Sequence, residues 1–170
     1  MMKICCFTGH RPKDLPWIYD ENSADFIAFK DKTTDIIEKA IENGYTYFIS
    51  GMAEGFDTIV VDILLELKNK YKNIIIEGAI PCLGQEKKWS EENQNRYKTL
   101  LQKIDKKTIL SPVYTSTCMM ERNDYMLANS ELVIACYKGG YGGTYSTIHK
   151  AKKQGKNLII INPKSLELSK

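Results

Sequence analysis

Tyr45-Thr46-Tyr47-Phe48-Ile49, then Ser50-Gly51-Met52-Ala53-Glu54-Gly55, then Phe56-Asp57-Thr58-Ile59-Val60-Val61-Asp62-Ile63-Leu64-Leu65 is the stretch that decides the fold. Its first five residues are apolar or β-prone and have the length of a strand. A six-residue break with two glycines follows. From Phe56 to Tyr71 the apolar positions Val60, Ile63, Leu64, Leu67 and Tyr71 recur at helical spacing. A strand feeding a helix through a glycine-bearing turn is half of a β-α-β unit, the building block of parallel sheets.

The same alternation extends both ways. Upstream, Lys3–Phe7 reads as a strand, and Asp25–Asn43 reads as a helix with Phe26, Phe29, Ile36, Ile37, Ala40 and Ile41 on one face. Gly44 is placed to end that helix as its C′ residue. Downstream, the spacing predicts a strand at Asn73–Ile80, a polar helix at Gln85–Ile104 and a short strand at Thr108–Leu110. A helix at Cys118–Asn129, a strand at Glu131–Tyr137, a helix at Tyr145–Gln154 and a strand at Asn157–Ile161 complete the series. The fold class is therefore α/β: one Rossmann-like domain over residues 1–170, a mostly parallel sheet with helices on both faces. Residues after Pro163 are expected to be peripheral. Trp89 and Tyr97, eight apart on the predicted third helix, read as core.

In open parallel sheets, ligands bind beyond the carboxyl ends of the strands. Every unusual segment falls there. Thr8-Gly9-His10-Arg11-Pro12 follows the first strand, Ser50–Asp57 the second, and Lys138-Gly139-Gly140-Tyr141-Gly142-Gly143-Thr144 the strand ending at Tyr137. In the last of these, four glycines let backbone approach a ligand closely, and the next helix directs free N–H groups and its positive dipole end at an anion. Thr144 is placed either to cap that helix or to donate to the anion. Gly51 permits a tight turn, with Ser50 and Gly51 amides available to a ligand. Asp57 sits early in its helix, where a capping role suffices to explain it. Arg11 suits bidentate contact with phosphate or carboxylate. For His10, ligand contact and loop ordering both stay open. So do site-facing and surface-pairing roles for Arg122, which neighbours Glu121 and Asp124.

Composition narrows the classes. The chain has 170 residues, 24 basic and 21 acidic, for a net charge of +3. That balance argues against nucleic acid or an anionic membrane as partner. No apolar run approaches a membrane span. The opening Met1–Phe7 run is too short for a secretory signal and lacks a cleavage site. Five cysteines without C-x-x-C spacing read as reduced, buried thiols, and a cytoplasmic location is expected. Two histidines and no paired ligand spacing give no metal site, and no cofactor is implied. A P-loop and a G-x-S-x-G elbow are both absent.

Taken together, Cys6-Phe7-Thr8-Gly9-His10-Arg11-Pro12, Ile49–Asp57 and Gly139–Thr144 resemble the YpsA-like family of the SLOG superfamily in order and spacing, over nearly the whole chain. The resemblance implies a Rossmann-like fold and binding of a nucleotide or nucleotide-derived ligand, such as an ADP-ribose derivative, in a sensor or sequestering role. SLOG relatives often self-associate, so a homo-oligomer is possible, with Gln85–Ile104 and Cys118–Asn129 as faces for it. Two further likenesses give alternatives. Met119–Asn123 is similar to the Met-x-x-Arg-Lys segment of the lonely-guy phosphoribohydrolases, with Arg122 at the catalytic arginine and Asn123 in place of lysine. The resemblance puts that family's catalytic glutamate at Thr147, which has no carboxylate, so N-glycosidic hydrolysis of nucleoside monophosphates would need Glu54 or Asp57 instead. Ser50–Asp57 looks like a segment of DNA-processing protein A, which implies single-stranded nucleic acid as a third reading. The expected ligand contacts are Thr8, Gly9, His10, Arg11, Ser50, Gly51, Glu54, Gly139, Gly140, Gly142, Gly143 and Thr144, with Arg122 and Glu54 catalytic if the protein is an enzyme.

Overall fold

Cys5 and Cys6 stand next to each other on the first strand and point to opposite sides of the sheet, as strand geometry requires. Cys5, with Phe7, Phe48, Ile76 and Ile134, faces one core layer, and Cys6, with Ile49, Val133, Ala135 and Ile160, faces the other. A sheet apolar on both faces needs a helical cover on each. A computed structural model describing residues 1–170 shows how the chain supplies it.

The strands are β1 (Lys3–Gly9), β2 (Tyr45–Ser50), β3 (Ile75–Ile80), β4 (Lys106–Ile109), β5 (Leu132–Cys136), β6 (Asn157–Ile161) and β7 (Leu168–Ser169). The helices are α1 (Ala24–Glu42), α2 (Phe56–Leu67), α3 (Glu91–Lys103), α4 (Cys118–Ala128) and α5 (Gly143–Lys153). One seven-stranded sheet runs in the order β4-β3-β2-β1-β5-β6-β7. Every pair is parallel except β6–β7. Residues of α1, α2 and α3 pack on the Cys5 side, and residues of α4 and α5 on the Cys6 side.

The chain builds outward from β1 to β4, then returns to lay β5 on the other side of β1. The strand order therefore reverses between β1 and β5. Their register pairs Gly9 with Cys136, so both strands end level and the loops that follow them diverge from one point.

Local chemistry explains the element ends. Ser23 caps α1 by accepting from the Phe26 N–H at 3.1 Å, and Gly44 closes it at φ +92°. The third helix starts at Glu91 rather than Gln85. Ser90 accepts from the Asn93 N–H at 3.2 Å with an extended backbone, and that cap sets the start of the helix. Trp89 thus lies ahead of the helix, its ring edge-on to the buried Tyr97 at 5.2 Å. The fourth strand is Lys106–Ile109 instead of Thr108–Leu110; its lysines hide the pattern and suit an edge strand. The tail carries β7, the one antiparallel addition.

A buried carboxylate sets the position of α4. Glu77 accepts from Tyr47 Oη at 2.5 Å, Thr108 Oγ1 at 2.6 Å and Tyr125 Oη at 2.7 Å. Burial pushes its pKa up, but these three donors outweigh that and hold it below the usual value. Tyr125 lies on α4, one turn from Arg122, so the network holds the helix that carries the arginine. All five cysteines are free and buried, and burial raises Cys6 and Cys136 to about 12, so neither is a thiolate at neutral pH.

Candidate functional site at the strand-order reversal

Two adjoining clefts open where β1 and β5 end. One, of about 140 Å³, is lined by Thr8, Gly9, Arg11, Asp57, Arg122, Asn123, Gly143 and Thr144 among others. The other, of about 230 Å³, is lined by Arg11, Lys13, Tyr137, Tyr141, Tyr145 and the glycine run. Arg11, Gly143 and Thr144 border both.

His10 holds the two sides together. Its backbone N–H donates to Cys136 O at 3.2 Å, its carbonyl accepts from the Phe56 N–H at 3.2 Å, and its Nε2 accepts from the Lys138 N–H at 2.8 Å. An accepting Nε2 places the proton on Nδ1, which faces Asp14 at 3.8 Å. Burial lowers the His10 pKa, and Lys138 and Lys13 lower it further against Asp14, which favours this neutral form. His10 thus orders the loops, and it also lines the larger cleft, so it is placed for both roles open from sequence.

The Ser50–Asp57 segment is packed into the protein. Ser50 is fully buried; its Oγ donates to Asp57 O at 2.9 Å and accepts from the Met52 N–H at 3.2 Å. Gly51 lies against Arg122 and Asp57: a Cβ there would stand 2.5 Å from Arg122 Nη1 and 2.8 Å from Asp57 Oδ2. At Gly55 (φ +100°) a Cβ would stand 2.5 Å from His10 O, and at Gly9 2.4 Å from the Phe56 ring. These glycines let the loop after β1, the loop after β2 and α4 close on one another.

Arg122 is 4% exposed. Its Nη1 donates to Gly51 O at 2.6 Å, and its Nε donates to Asn123 Oδ1 at 2.8 Å. It faces the cleft, not the surface, while Asp124 pairs with Lys150 at 2.6 Å. Burial lowers the Arg122 pKa, opposed by Asp57. Asp57 accepts from the Ala53 N–H at 3.2 Å, and burial raises its pKa against the pull of Arg122 and Arg11. Asp57 is therefore a cleft residue as well as part of a loop closure. Asn123, which stands where the similar motif has lysine, orients the arginine.

The run after β5 is open. Gly139, Gly140 and Gly142 take φ of +119°, +94° and +154°, and at none of these, nor at Gly143, would a Cβ meet any atom within 4 Å. Tyr137 Oη donates to Gly140 O at 2.5 Å and braces the turn. Gly142 is the N-cap of α5 and gives no side-chain cap, so Thr144 does not cap the helix; Gly143 and Thr144, whose N–H groups have no partner within the helix, line the clefts. Thr147 is buried with its Oγ1 donating to Gly143 O at 2.9 Å.

Of the sequence-chosen contacts, Ser50 and Gly51 line neither cleft, being packed against Asp57 and Arg122, and Glu54 falls elsewhere. It accepts from Asn93 Nδ2 at 2.7 Å in a separate groove of about 780 Å³ with Tyr19, Trp89 and Arg96. It borders neither cleft. Sequence reasoning passed over Lys13, Tyr141 and Tyr145 as lining residues. Their signal was adjacency to the Thr-Gly-His-Arg-Pro and glycine segments. No group of three His, Cys, Asp or Glu side chains gathers anywhere in the fold, and no helix is long and apolar enough to cross a membrane.

Sheet order, cleft position and loop chemistry define a Rossmann-like α/β domain with a polar cleft at its strand-order reversal. The chain belongs to the YspA SLOG family, whose model matches residues 5–166. It is 33% identical over 141 residues to the SPbeta prophage-derived protein YoqJ of Bacillus subtilis, covering 75% of this chain and 82% of that one. A UPF0398 protein of Brevibacillus brevis is 24% identical over 139 residues, covering 81% and 73%. The fold is also that of DNA processing protein A. The Streptococcus pneumoniae structure aligns with a TM-score of 0.63 at 17% identity, over 95% of this chain and 50% of that one. The Helicobacter pylori protein, described in its single-stranded DNA binding mode, gives 0.58 at 20% identity over 94% and 65%. This chain thus spans half to two thirds of those proteins.

Proposed function

We propose that the cleft binds a nucleotide or nucleotide-derived ligand by its phosphate, and that the protein acts as a sensor or sequestering module for it. One observation carries this reading. Three positive-φ glycines in open space lead into a helix N-terminus without a side-chain cap, in a cleft also lined by Arg11, which enters no ion pair. Backbone N–H groups, the helix dipole and Arg11 together suit a phosphate. Gly139, Gly140, Gly142, Gly143 and Thr144 cradle it, Thr8 and Gly9 form the floor, and Arg122 adds charge from beneath. Calorimetric titration with AMP and ADP-ribose tests this. Gly140→Asp is expected to abolish binding, and unchanged affinity in that variant overturns the cradle.

A second reading is N-glycosidic hydrolysis of a nucleoside monophosphate. It is favoured by Asp57, a buried carboxyl with a raised pKa that shares the cleft with Arg122. A carboxyl held in a cleft beside an arginine is the residue type that proton transfer at a glycosidic bond uses. Glu54 has no part in it, because it opens onto another groove. Free base released from AMP, and lost in both Asp57→Asn and Arg122→Ala, would establish the enzyme; no release from any nucleoside monophosphate removes it.

Single-stranded DNA is a third reading, supported by the shared fold with a protein described as binding it. That likeness weakens the argument from net charge, since a local cleft can be basic in a balanced chain. Oligonucleotide affinity falling steeply with salt would support it, and a flat dependence would not.

A further inference from the structure

Tyr141 is 92% exposed, although it sits in the lining of the cleft. Glycines flank it on both sides, and the two at 140 and 142 hold positive φ, so the backbone carries the ring outward. Tyr145, in the first turn of α5, forms an edge-to-face pair with Tyr141 at 4.9 Å and 71°. The other neighbour of Tyr145 is His149, parallel to it at 6.1 Å and 12°. The three rings form a row leading away from the glycine run. Tyr145 has a second ring neighbour, whereas Tyr141 has only one and is otherwise open to water. Its hydroxyl makes no hydrogen bond within the protein, unlike Tyr137, which braces the loop.

Aromatic rings presented beside a phosphate-binding groove stack nucleobases, because every base has a π-face and the anchored phosphate holds it near. We infer that Tyr141 is the base-stacking platform of the cleft, buttressed by Tyr145. The ligand is then a nucleotide carrying its base, not a sugar phosphate or inorganic phosphate. The bicyclic face of a purine covers the ring best. This inference rests on the phosphate-cleft reading and adds what distinguishes one phosphorylated ligand from another.

The test compares AMP, CMP and ribose 5-phosphate by calorimetry on the wild-type protein and on Tyr141→Ala, Tyr141→Trp and Tyr145→Ala. AMP is expected to bind roughly ten- to a hundredfold tighter than ribose 5-phosphate, with CMP between them. Tyr141→Ala should bring AMP down to the ribose 5-phosphate level and leave ribose 5-phosphate affinity unchanged. Tyr141→Trp should retain the preference, and Tyr145→Ala should lose part of it. Because the ring is exposed, the unfolding midpoint of Tyr141→Ala should match wild type, which separates loss of stacking from loss of fold. Equal wild-type affinity for AMP and ribose 5-phosphate, or an equal loss of both in Tyr141→Ala, overturns the stacking assignment and leaves the phosphate cleft standing. Absence of binding by all three to the wild-type protein overturns the cleft reading itself.

Discussion

Two glycine-bearing loops lie on the same edge of the sheet and use glycine for opposite reasons. In Ser50–Asp57 the glycines are crowded: the space a side chain would take is filled by Arg122, Asp57 or the His10 carbonyl. In Gly139–Thr144 nothing stands within 4 Å of any position a Cβ would take, and what makes glycine necessary is the positive φ at three positions. The first loop is built for packing within the protein and the second leaves room for something outside it. A run of glycines in sequence therefore does not announce a ligand; the space around each one does.

The sharpest way to break this comparison is to add one methyl group to each loop. Gly55→Ala adds both a backbone clash and left-handed strain, and should cost about 3 kcal/mol. In a domain of this size that lowers the unfolding midpoint by roughly 6–12 °C. A variant as stable as wild type would remove the crowding argument. Gly140→Ala meets strain but no clash, so about 1 kcal/mol is expected in the same thermal melt.

His10 links the two loops, and its protonation offers a smaller effect. Its folded pKa lies below the ordinary 6.5, chiefly through burial. The unfolded chain then binds the proton first as pH falls, so His10 contributes stability above about pH 6.5 that is lost below it. The melting midpoint should drop between pH 7.5 and 5.5, and the drop should shrink in His10→Gln, whose amide oxygen can still accept from Lys138. An equal drop in both proteins would assign the pH dependence to other groups.

The smallest expected change in stability is at Gly143, which has neither positive φ nor a neighbour. Gly143→Ala should melt within about 0.5 kcal/mol of wild type. If phosphate approaches the backbone there, the same variant should bind AMP about tenfold more weakly by calorimetry, because the new methyl occupies ligand space. A silent result in both measurements would move the phosphate elsewhere along the run.

Much of the molecule was legible from its residues. Alternation of strand and helix periods, the helix end at Gly44 and the opposed faces of Cys5 and Cys6 follow from local geometry, because side-chain direction repeats every two residues in a strand and about every 3.6 in a helix. The common sheet edge followed from the same reasoning, since parallel strands put all their carboxyl ends on one side. Boundaries slipped where a local signal was masked, as with the lysines of β4 or the Ser90 cap.

The tertiary structure alone decided what each edge residue does. Arg122 reaches Gly51 across 71 positions of sequence, and the Lys138 N–H meets His10 across 128. Glu54 turns into a groove formed with α3, while Asp57, three residues on, enters the cleft. No local rule predicts these pairings, because they depend on which strand lies beside which. The reversal of order between β1 and β5 brings together loops that are remote in the chain, and it is there that packing selects one role for each residue.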